Sequence, residues 1–219
     1  MKNPYLRYLL MCALVVAATL AFTLTMFAQL PARIPTHWNA QGQIDGYGPR
    51  GFVFLHTGFM VGFMLLWTLL PSLSPKRFTV DRFSATYWHI CLVVVAMLGY
   101  IQCVLVWGVW SPSLPMNRAM LGGLAVFMAL LGNVMGKVRS NFWIGIRTPW
   151  TLASERVWYA THRFAAKTMV ASALLSLAGV LAGLPAWMCM AALLAGPVVP
   201  AFYSLLVYKR LESEGNLET

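Results

Sequence analysis

Residues 6–28 read "LRYLLMCALVVAATLAFTLTMFA" and contain a single charged residue, Arg7. A helix rises about 1.5 Å per residue, so this run is long enough to cross about 30 Å of hydrocarbon. A cleaved signal peptide has a shorter apolar run of about 7–15 residues, and no small-x-small cleavage site follows here. We therefore expect the run to be retained as a first membrane span.

Similar apolar runs recur along the chain. Helices are predicted at about 6–28, 52–71, 86–110, 117–135, 164–184 and 187–208, and the span ends carry Pro31, Pro71, Pro112, Pro115 and Pro185. The chain is 59% hydrophobic and 10% charged, whereas a soluble domain has about 25% charged residues. The sequence predicts an all-α polytopic membrane protein, a six-transmembrane-helix bundle, with no soluble domain and no direct nucleic-acid partner.

The net charge of +10 is concentrated at the ends of the apolar runs, where topology signals lie. If the N-terminus is cytoplasmic, the inner cations are Lys2, Arg7, Lys76, Arg77, Arg82, Lys137, Arg139, Arg147, Arg156, Arg163, Lys167, Lys209 and Arg210, and the outer ones are Arg33, Arg50 and Arg118. Cytoplasmic loops carry the excess of Lys and Arg. Both termini are therefore predicted to be inside (N-in/C-in), in the cytoplasmic (inner) membrane.

Two regions are expected within one integrated membrane domain. Residues 1–71 would form a helical hairpin with an ordered extracytoplasmic loop at 29–51, and residues 72–219 a four-helix region with a cytoplasmic loop at 136–163. No internal repeat supports a transporter. Small residues at Gly132 and Gly136, and at Gly179 and Gly183, favour close packing within the chain over a homo-oligomer interface, which stays open.

The outer loop contains His37, Asn39 and Asp45 among turn-forming prolines and glycines. Its polar groups either satisfy one another, form a recognition surface, or form a metal or catalytic site. One His and one Asp are too few ligands for the last alternative, so we predict no metal and no cofactor.

Polar residues within the spans are expected to be structural. We predict that His56 and His89 are hydrogen-bonded core residues rather than parts of a proton path, and that Gln102 bonds a neighbouring helix. The cysteines, Cys12, Cys91, Cys103 and Cys189, all fall in apolar runs, which favours buried thiols.

The inner loop is rich in specific side-chain chemistry. It and its flank contain the donors Asn133, Lys137, Arg139, Asn141, Arg147 and Arg163, with Trp150, Thr151, Glu155, Trp158 and His162. Thr151 is predicted to be the N-cap of a helix. Glu155, Trp158 and His162 are predicted to lie on the same face of that helix as Thr151. The loop is either a basic anchor for anionic membrane lipids or a site that binds an anionic group or a protein. Glu155 either holds an arginine or transfers a proton.

Two segments resemble a known family. "LPARIPTHWNAQGQIDGYGPRGF" (30–52) is similar to a module of unknown function that precedes many bacterial membrane proteins of the SdpI type. "GNVMGKVRSNFWIGIRTPWTLASERVWYATHR" (132–163) resembles the SdpI signature itself, with Ser140 where that pattern has proline.

The resemblance implies an immunity and signal-transduction protein. Outside, His37, Asn39, Asp45 and Tyr47 would meet a secreted peptide toxin; inside, the loop would meet a helix-turn-helix repressor. Two alternatives remain open. One is a membrane enzyme acting on a lipid or envelope precursor, with Glu155 and His162 as catalytic groups; it is disfavoured because no nucleophile–base pair is visible. The other is a small transporter.

Overall fold

The chain folds as a helical bundle with one small sheet. The structure, a computed structural model, describes residues 4–39, 41–111 and 113–217, with Pro4 and Arg77 described in the backbone only; Lys2 and Pro112 therefore lie outside the described residues. The helices are α1 (Pro4–Phe27), α2 (Leu55–Leu69), α3 (Ser84–Trp110), α4 (Met116–Met135), α5 (Pro149–Ala153), α6 (Glu155–Leu181) and α7 (Ala186–Ser213). All but α5 lie in stretches long and apolar enough to cross a membrane. The predicted six-span, multi-pass fold is confirmed.

Two of the predicted helix bounds, the start of α6 and the end of α7, were wrong. α6 begins at Glu155 rather than near residue 164, and α7 continues to Ser213 rather than 208. Hydropathy marks only the apolar part of a helix. The polar extension of α6 is capped by Ser154, whose side chain accepts from the Val157 N–H, and α7 is extended by ion pairs of Lys209 with Glu212 and Arg210 with Glu214.

The bundle is built around two groups of helices. α3 packs against α1, α2 and α4, and α6 packs against α4 and α7. Near the inner ends of α2 and α3, the Trp67 and Tyr87 rings stack at 4.6 Å. The Trp67 Nε1 donates to the Tyr87 carbonyl, and the Tyr87 hydroxyl donates to the Trp67 carbonyl. Gly132 lies against Met169 and Val170 of α6, so this glycine serves packing within the chain.

A series of hydrogen bonds between polar side chains links α1, α2 and α3 inside the bundle. The Thr57 hydroxyl donates to the Gln102 Oε1 at 2.8 Å, and the Gln102 Nε2 donates to the Thr23 hydroxyl at 2.6 Å. The Thr23 hydroxyl in turn donates to the Thr19 carbonyl. Gln102 is fully buried and both ends of its amide are bonded, as a polar group in the apolar interior requires. The predicted bond from Gln102 to a neighbouring helix is confirmed.

Two prolines, Pro197 and Pro200, lie inside α7, within the helix predicted at 187–208. A proline has no N–H, so each leaves the carbonyl four residues earlier without its helical partner. The α6 hydroxyls supply the missing donors. Thr168 Oγ1 donates to the Gly196 carbonyl at 2.8 Å, and Ser172 Oγ lies 3.4 Å from the Leu193 carbonyl.

The connection between α1 and α2 forms an antiparallel β-hairpin, an element the sequence analysis did not predict. Strand β1 (Arg33–Trp38) pairs with β2 (Ile44–Pro49), with Arg33 opposite Pro49 and Trp38 opposite Ile44. We call residues 33–49 the outer hairpin. Its tip rests on the start of α4, because a Cβ placed on Gly42 would lie 3.3 Å from the Asn117 side chain.

Candidate functional sites at the two ends of the bundle

The tip of the outer hairpin is organised by Asn39. The Asn39 Oδ1 accepts from the Gln41 and Gln43 N–H groups at 3.0 and 2.9 Å, and its Nδ2 donates to the Gln43 side chain. Such side-chain bonds to the following backbone stabilise tight turns. Both ends of the Asn39 amide are therefore used in shaping the turn.

His37, Asp45 and Tyr47 lie on the exposed part of the hairpin. The His37 Nδ1 donates to the Asp45 carboxylate at 2.5 Å, with the two side chains 70% and 45% exposed. Tyr47 is 57% exposed. An exposed ion pair contributes only about 0.2–1 kcal/mol to stability. This patch therefore presents a carboxylate, an imidazole and a phenol to the surroundings without being required for the fold.

Beneath the outer hairpin lies a cavity of about 620 Å³. We call it the outer cavity. Its mouth contains His37, Asn39 and His56, and its deeper walls come from α3, α4 and α7. The His56 Nδ1 is buried and has no hydrogen-bond partner within the described residues. The prediction that His56 is a hydrogen-bonded core histidine was therefore wrong at this nitrogen; the imidazole lies beside the Phe59 ring instead, with the ring centres 6.3 Å apart.

At the other end, Asn141 holds the inner motif (residues 136–163) together. The Asn141 Oδ1 accepts from the Trp143 and Ile144 N–H groups, and its Nδ2 donates to the Arg139 and Ile144 carbonyls, all within 2.7–2.8 Å. Asn141 is fully buried. Its amide fixes the path of the chain and leaves no polar group free for a partner.

His162 and Trp158 form the buried centre of the inner motif. Their rings stack at 4.1 Å. The His162 Nδ1 donates to the Trp158 carbonyl at 2.8 Å, its Nε2 accepts from the Ile146 N–H at 3.0 Å, and the Trp158 Nε1 donates to the Val138 carbonyl. One nitrogen donates and the other accepts, so the imidazole is neutral. With both nitrogens bonded, His162 is not free to act as a general base.

The predicted cap at Thr151 was wrong. Thr148 is the N-cap of α5, and Thr151 is its partner in a reciprocal capping box. α5 then ends at Ser154, which has extended backbone (φ −146°, ψ 130°). Thr151 therefore does not share a helix face with Glu155. Instead the Thr148 hydroxyl bonds Ser204 of α7 at 2.9 Å.

The cations of the inner motif point outwards. Asn133, Lys137, Arg139, Arg147, Glu155 and Arg163 are exposed, and Trp150 is half-buried. The Arg139 guanidinium lies 4.9 Å from the centre of the Tyr159 ring, and that of Arg147 lies 4.8 Å from the centre of the Phe142 ring. Stacking on a ring leaves the planar edge of a guanidinium free for hydrogen bonds. The motif thus combines a buried scaffold with an exposed cationic surface.

The connection between α2 and α3 contributes to this end, which sequence reasoning missed. The Trp143 Nε1 donates to the Ser74 hydroxyl at 2.6 Å, and Arg82 pairs with Glu155 at 3.7 Å. Glu155 thus holds an arginine, but one outside the inner motif. These pairs join residues about 70 positions apart, and no local pattern in the sequence marks them.

Comparison with known proteins finds matches for the segments that contain the outer hairpin and the inner motif. Residues 137–207 match the family model described as the SdpI/YfhL protein family, and residues 14–61 match a domain of unknown function, DUF1648. The chain is 26% identical over 159 residues to "Immunity protein SdpI" of Bacillus subtilis (strain 168), covering 72% of this chain and 73% of that protein. Residues 137–207 are therefore similar to the SdpI/YfhL protein family. No solved structure matches.

The matched ranges coincide with the two candidate sites. The SdpI/YfhL range covers nearly all of the inner motif, α6 and most of α7, and the DUF1648 range covers the outer hairpin with parts of α1 and α2. α3 lies outside both ranges and packs against α1 and α2, which the DUF1648 range covers in part, and against α4, which lies outside both ranges. The division of the chain after residue 71 stays a prediction.

Proposed function

We propose that this protein is an immunity and receptor protein of the bacterial cytoplasmic membrane, which protects the cell against a membrane-active peptide toxin and relays its presence to a cytoplasmic repressor. The observation that carries the proposal is the similarity to an immunity protein over 72% of the chain. The described part of the chain contains six helices long and apolar enough to cross a membrane, so the outer hairpin and the inner motif can face opposite compartments, as a receptor requires.

On the outer side, the exposed patch of His37, Asp45 and Tyr47 supports recognition. The hairpin turn is already stabilised by Asn39 and its backbone bonds. The patch residues are therefore available to a partner, and aromatic side chains contribute strongly to protein contacts. Asp45 is the one acidic residue between residues 1 and 80, which suits a partner that carries a cation or hydrogen-bond donors.

On the inner side, the exposed cations of the motif support docking of a protein or an acidic segment. The buried scaffold of Asn141, Trp158 and His162 holds them in place. A topology anchor needs only positive charge near the headgroups. It does not need guanidinium groups held over rings by a buried hydrogen-bonded loop.

The outer half of the proposal is tested with Tyr47→Ala and with the double variant His37→Ala, Asp45→Asn. Survival of cells challenged with the peptide toxin is measured at matched levels of membrane-inserted protein. Gln41→Ala is the matched control, since Gln41 is exposed at the hairpin tip and its side chain makes no hydrogen bond within the described residues. We expect both patch variants to lose at least about tenfold in protection, the effect of about 1.4 kcal/mol of binding energy.

Full protection by both patch variants would remove the outer hairpin from the recognition step. Equal loss in the Gln41→Ala control would likewise contradict a specific role for the patch.

A further inference from the structure

The outer cavity is shaped for a small apolar ligand with a polar end. Along α4 it runs from Met116 to Leu124, which is about 12 Å by helix rise. Its deep walls are carbon-rich, whereas polar side chains gather at the mouth under the hairpin. Small-molecule sites are typically cavities of about 300–1,000 Å³, mostly apolar, with few polar groups that fix orientation. The volume of about 620 Å³ lies in that range.

The polar lining residues indicate what the ligand carries at its polar end. His56, Thr36 and Asn117 all line the cavity. Their side chains can bond a ligand's hydroxyl or ester group, whereas the remaining walls are suited to an apolar chain.

The size of the cavity favours a lipid chain over a peptide helix as its ligand. A helix is about 10–12 Å across and rises about 5.4 Å per turn, so the cavity holds about one turn of helix. Membrane-active peptides need several turns to span or lie on a bilayer. The walls include Met116, Met120 and Met190, and methionine adapts to flexible apolar ligands.

We propose that the outer cavity binds the acyl chain of a membrane glycerolipid, with its ester group at His56 under the outer hairpin. This site joins the two matched parts of the chain, since the hairpin and α2 form its mouth and α7 one of its walls. The inference does not depend on protection against a toxin. A lipid held there would link the position of the hairpin to the packing of α4 and α7.

The test uses purified protein in alkyl maltoside micelles, which contain no ester lipid, with increasing fractions of a phosphatidylcholine that carries a photoreactive diazirine in its acyl chain. After irradiation, labelled peptides are mapped by mass spectrometry. We expect labelling at Met120 and Met190 to saturate at low probe fraction and to be displaced by an ester lipid. Labelling around Leu175, an exposed residue of α6, should rise in proportion to the probe.

Three variants sharpen the test. Met120→Trp fills the cavity and is expected to reduce the saturable labelling about tenfold, whereas the lipid-facing Leu175→Trp should leave it unchanged. His56→Leu removes the polar contact and should weaken binding about threefold, since one hydrogen bond is lost. If Met120→Trp does not fold, Met190→Trp fills the cavity from another wall.

Two results would overturn the proposal. One is labelling at Met120 and Met190 that rises linearly, as at Leu175, and is insensitive to cavity filling. The other is saturable labelling that an amphipathic peptide displaces and a lipid does not, which would make the site a peptide site. Survival under toxin challenge is measured separately, so either outcome leaves the proposed immunity function to its own test.

Discussion

Gly145 illustrates how one residue sets the inner motif. Its φ of +118° lies where side chains are rarely tolerated, and a Cβ there would collide with the His162 Nε2 and lie 3.1 Å from the Trp158 ring. The close approach lets the adjacent Ile146 N–H reach the His162 Nε2. A single glycine thus allows the loop to close over the stacked rings.

Gly145→Ala is therefore expected to destabilise the protein by about 2–4 kcal/mol, from backbone strain and overlap in the packed centre. The measurement is thermal unfolding in detergent, followed by reaction of a thiol-specific dye with the buried thiols of Cys12, Cys91 and Cys189. Gly58→Ala is the control, because nothing lies within 4 Å of a Cβ there. An equal Tm for Gly145→Ala and wild type would show that the loop accommodates the added methyl group without loss of stability, which would contradict this prediction.

Arg147 tests the exposed cations of the inner motif. Its guanidinium stacks on Phe142 and can make two parallel hydrogen bonds to a carboxylate, which lysine cannot copy. We expect Arg147→Lys to insert normally yet weaken partner binding about ten- to hundredfold, through the loss of a bidentate charged contact. Transcriptional output after toxin challenge is the readout, with Lys209→Arg on α7 as control. Unchanged output would make the motif a basic anchor.

At the scale of elements, the α6–α7 pair shows how prolines are accommodated inside a membrane helix. The carbonyls left without a backbone partner by Pro197 and Pro200 face hydroxyls of α6. Hydrogen bonds between the two helices therefore replace bonds that would otherwise form within α7. In the apolar interior an unpaired carbonyl is costly. The prolines thus make the packing of α6 on α7 specific.

This sharing predicts a coupling between Thr168 and Pro200. Thr168→Val should cost about 1–2 kcal/mol, because the Gly196 carbonyl loses its donor. In a Pro200→Ala background the restored N–H at residue 200 bonds that carbonyl, so the same substitution should cost less than about 0.5 kcal/mol. Unfolding is measured for wild type, both single variants and the double variant. Equal costs in the two backgrounds would contradict the shared bond.

The elements also show what the sequence could predict. Apolar runs located all six spans because burial in lipid demands apolar side chains over a fixed length. The start of α6 was misplaced because its polar extension is set by Ser154 and by packing of Trp158, not by hydropathy. The outer hairpin was missed because its strands are short, β1 contains Pro35 and β2 contains Gly46 and Gly48, and neither shows the alternation that marks a strand.

For the candidate sites, residue types were predictable but roles were not. Asn141, Thr151, Trp158 and His162 were expected to contact a partner, yet all are buried and hold the motif together. The partner of Glu155 proved to be Arg82, from a distant segment. Such roles depend on contacts between parts of the chain far apart in sequence. The outer cavity, too, exists only once α2, α3, α4, α7 and the hairpin are assembled.

At the scale of the whole molecule, the account rests on two sites that face opposite compartments. Six spans place both termini on the same side of the membrane, and they place the outer hairpin and the inner motif on opposite sides. The charge pattern predicts which side is which, with thirteen Lys and Arg residues assigned to the inside and three to the outside. The proposed toxin recognition at the hairpin and the proposed relay at the motif both require this orientation.

The most direct measurement is the labelling of single cysteines in intact cells with a membrane-impermeant thiol reagent, in a variant lacking the four native cysteines. Gln41→Cys lies at the exposed hairpin tip and Ala153→Cys at an exposed position in the inner motif. We predict that Gln41→Cys is labelled in intact cells and that Ala153→Cys is labelled only after the membrane is permeabilised. Labelling of Ala153→Cys from outside, with Gln41→Cys protected, would contradict the account.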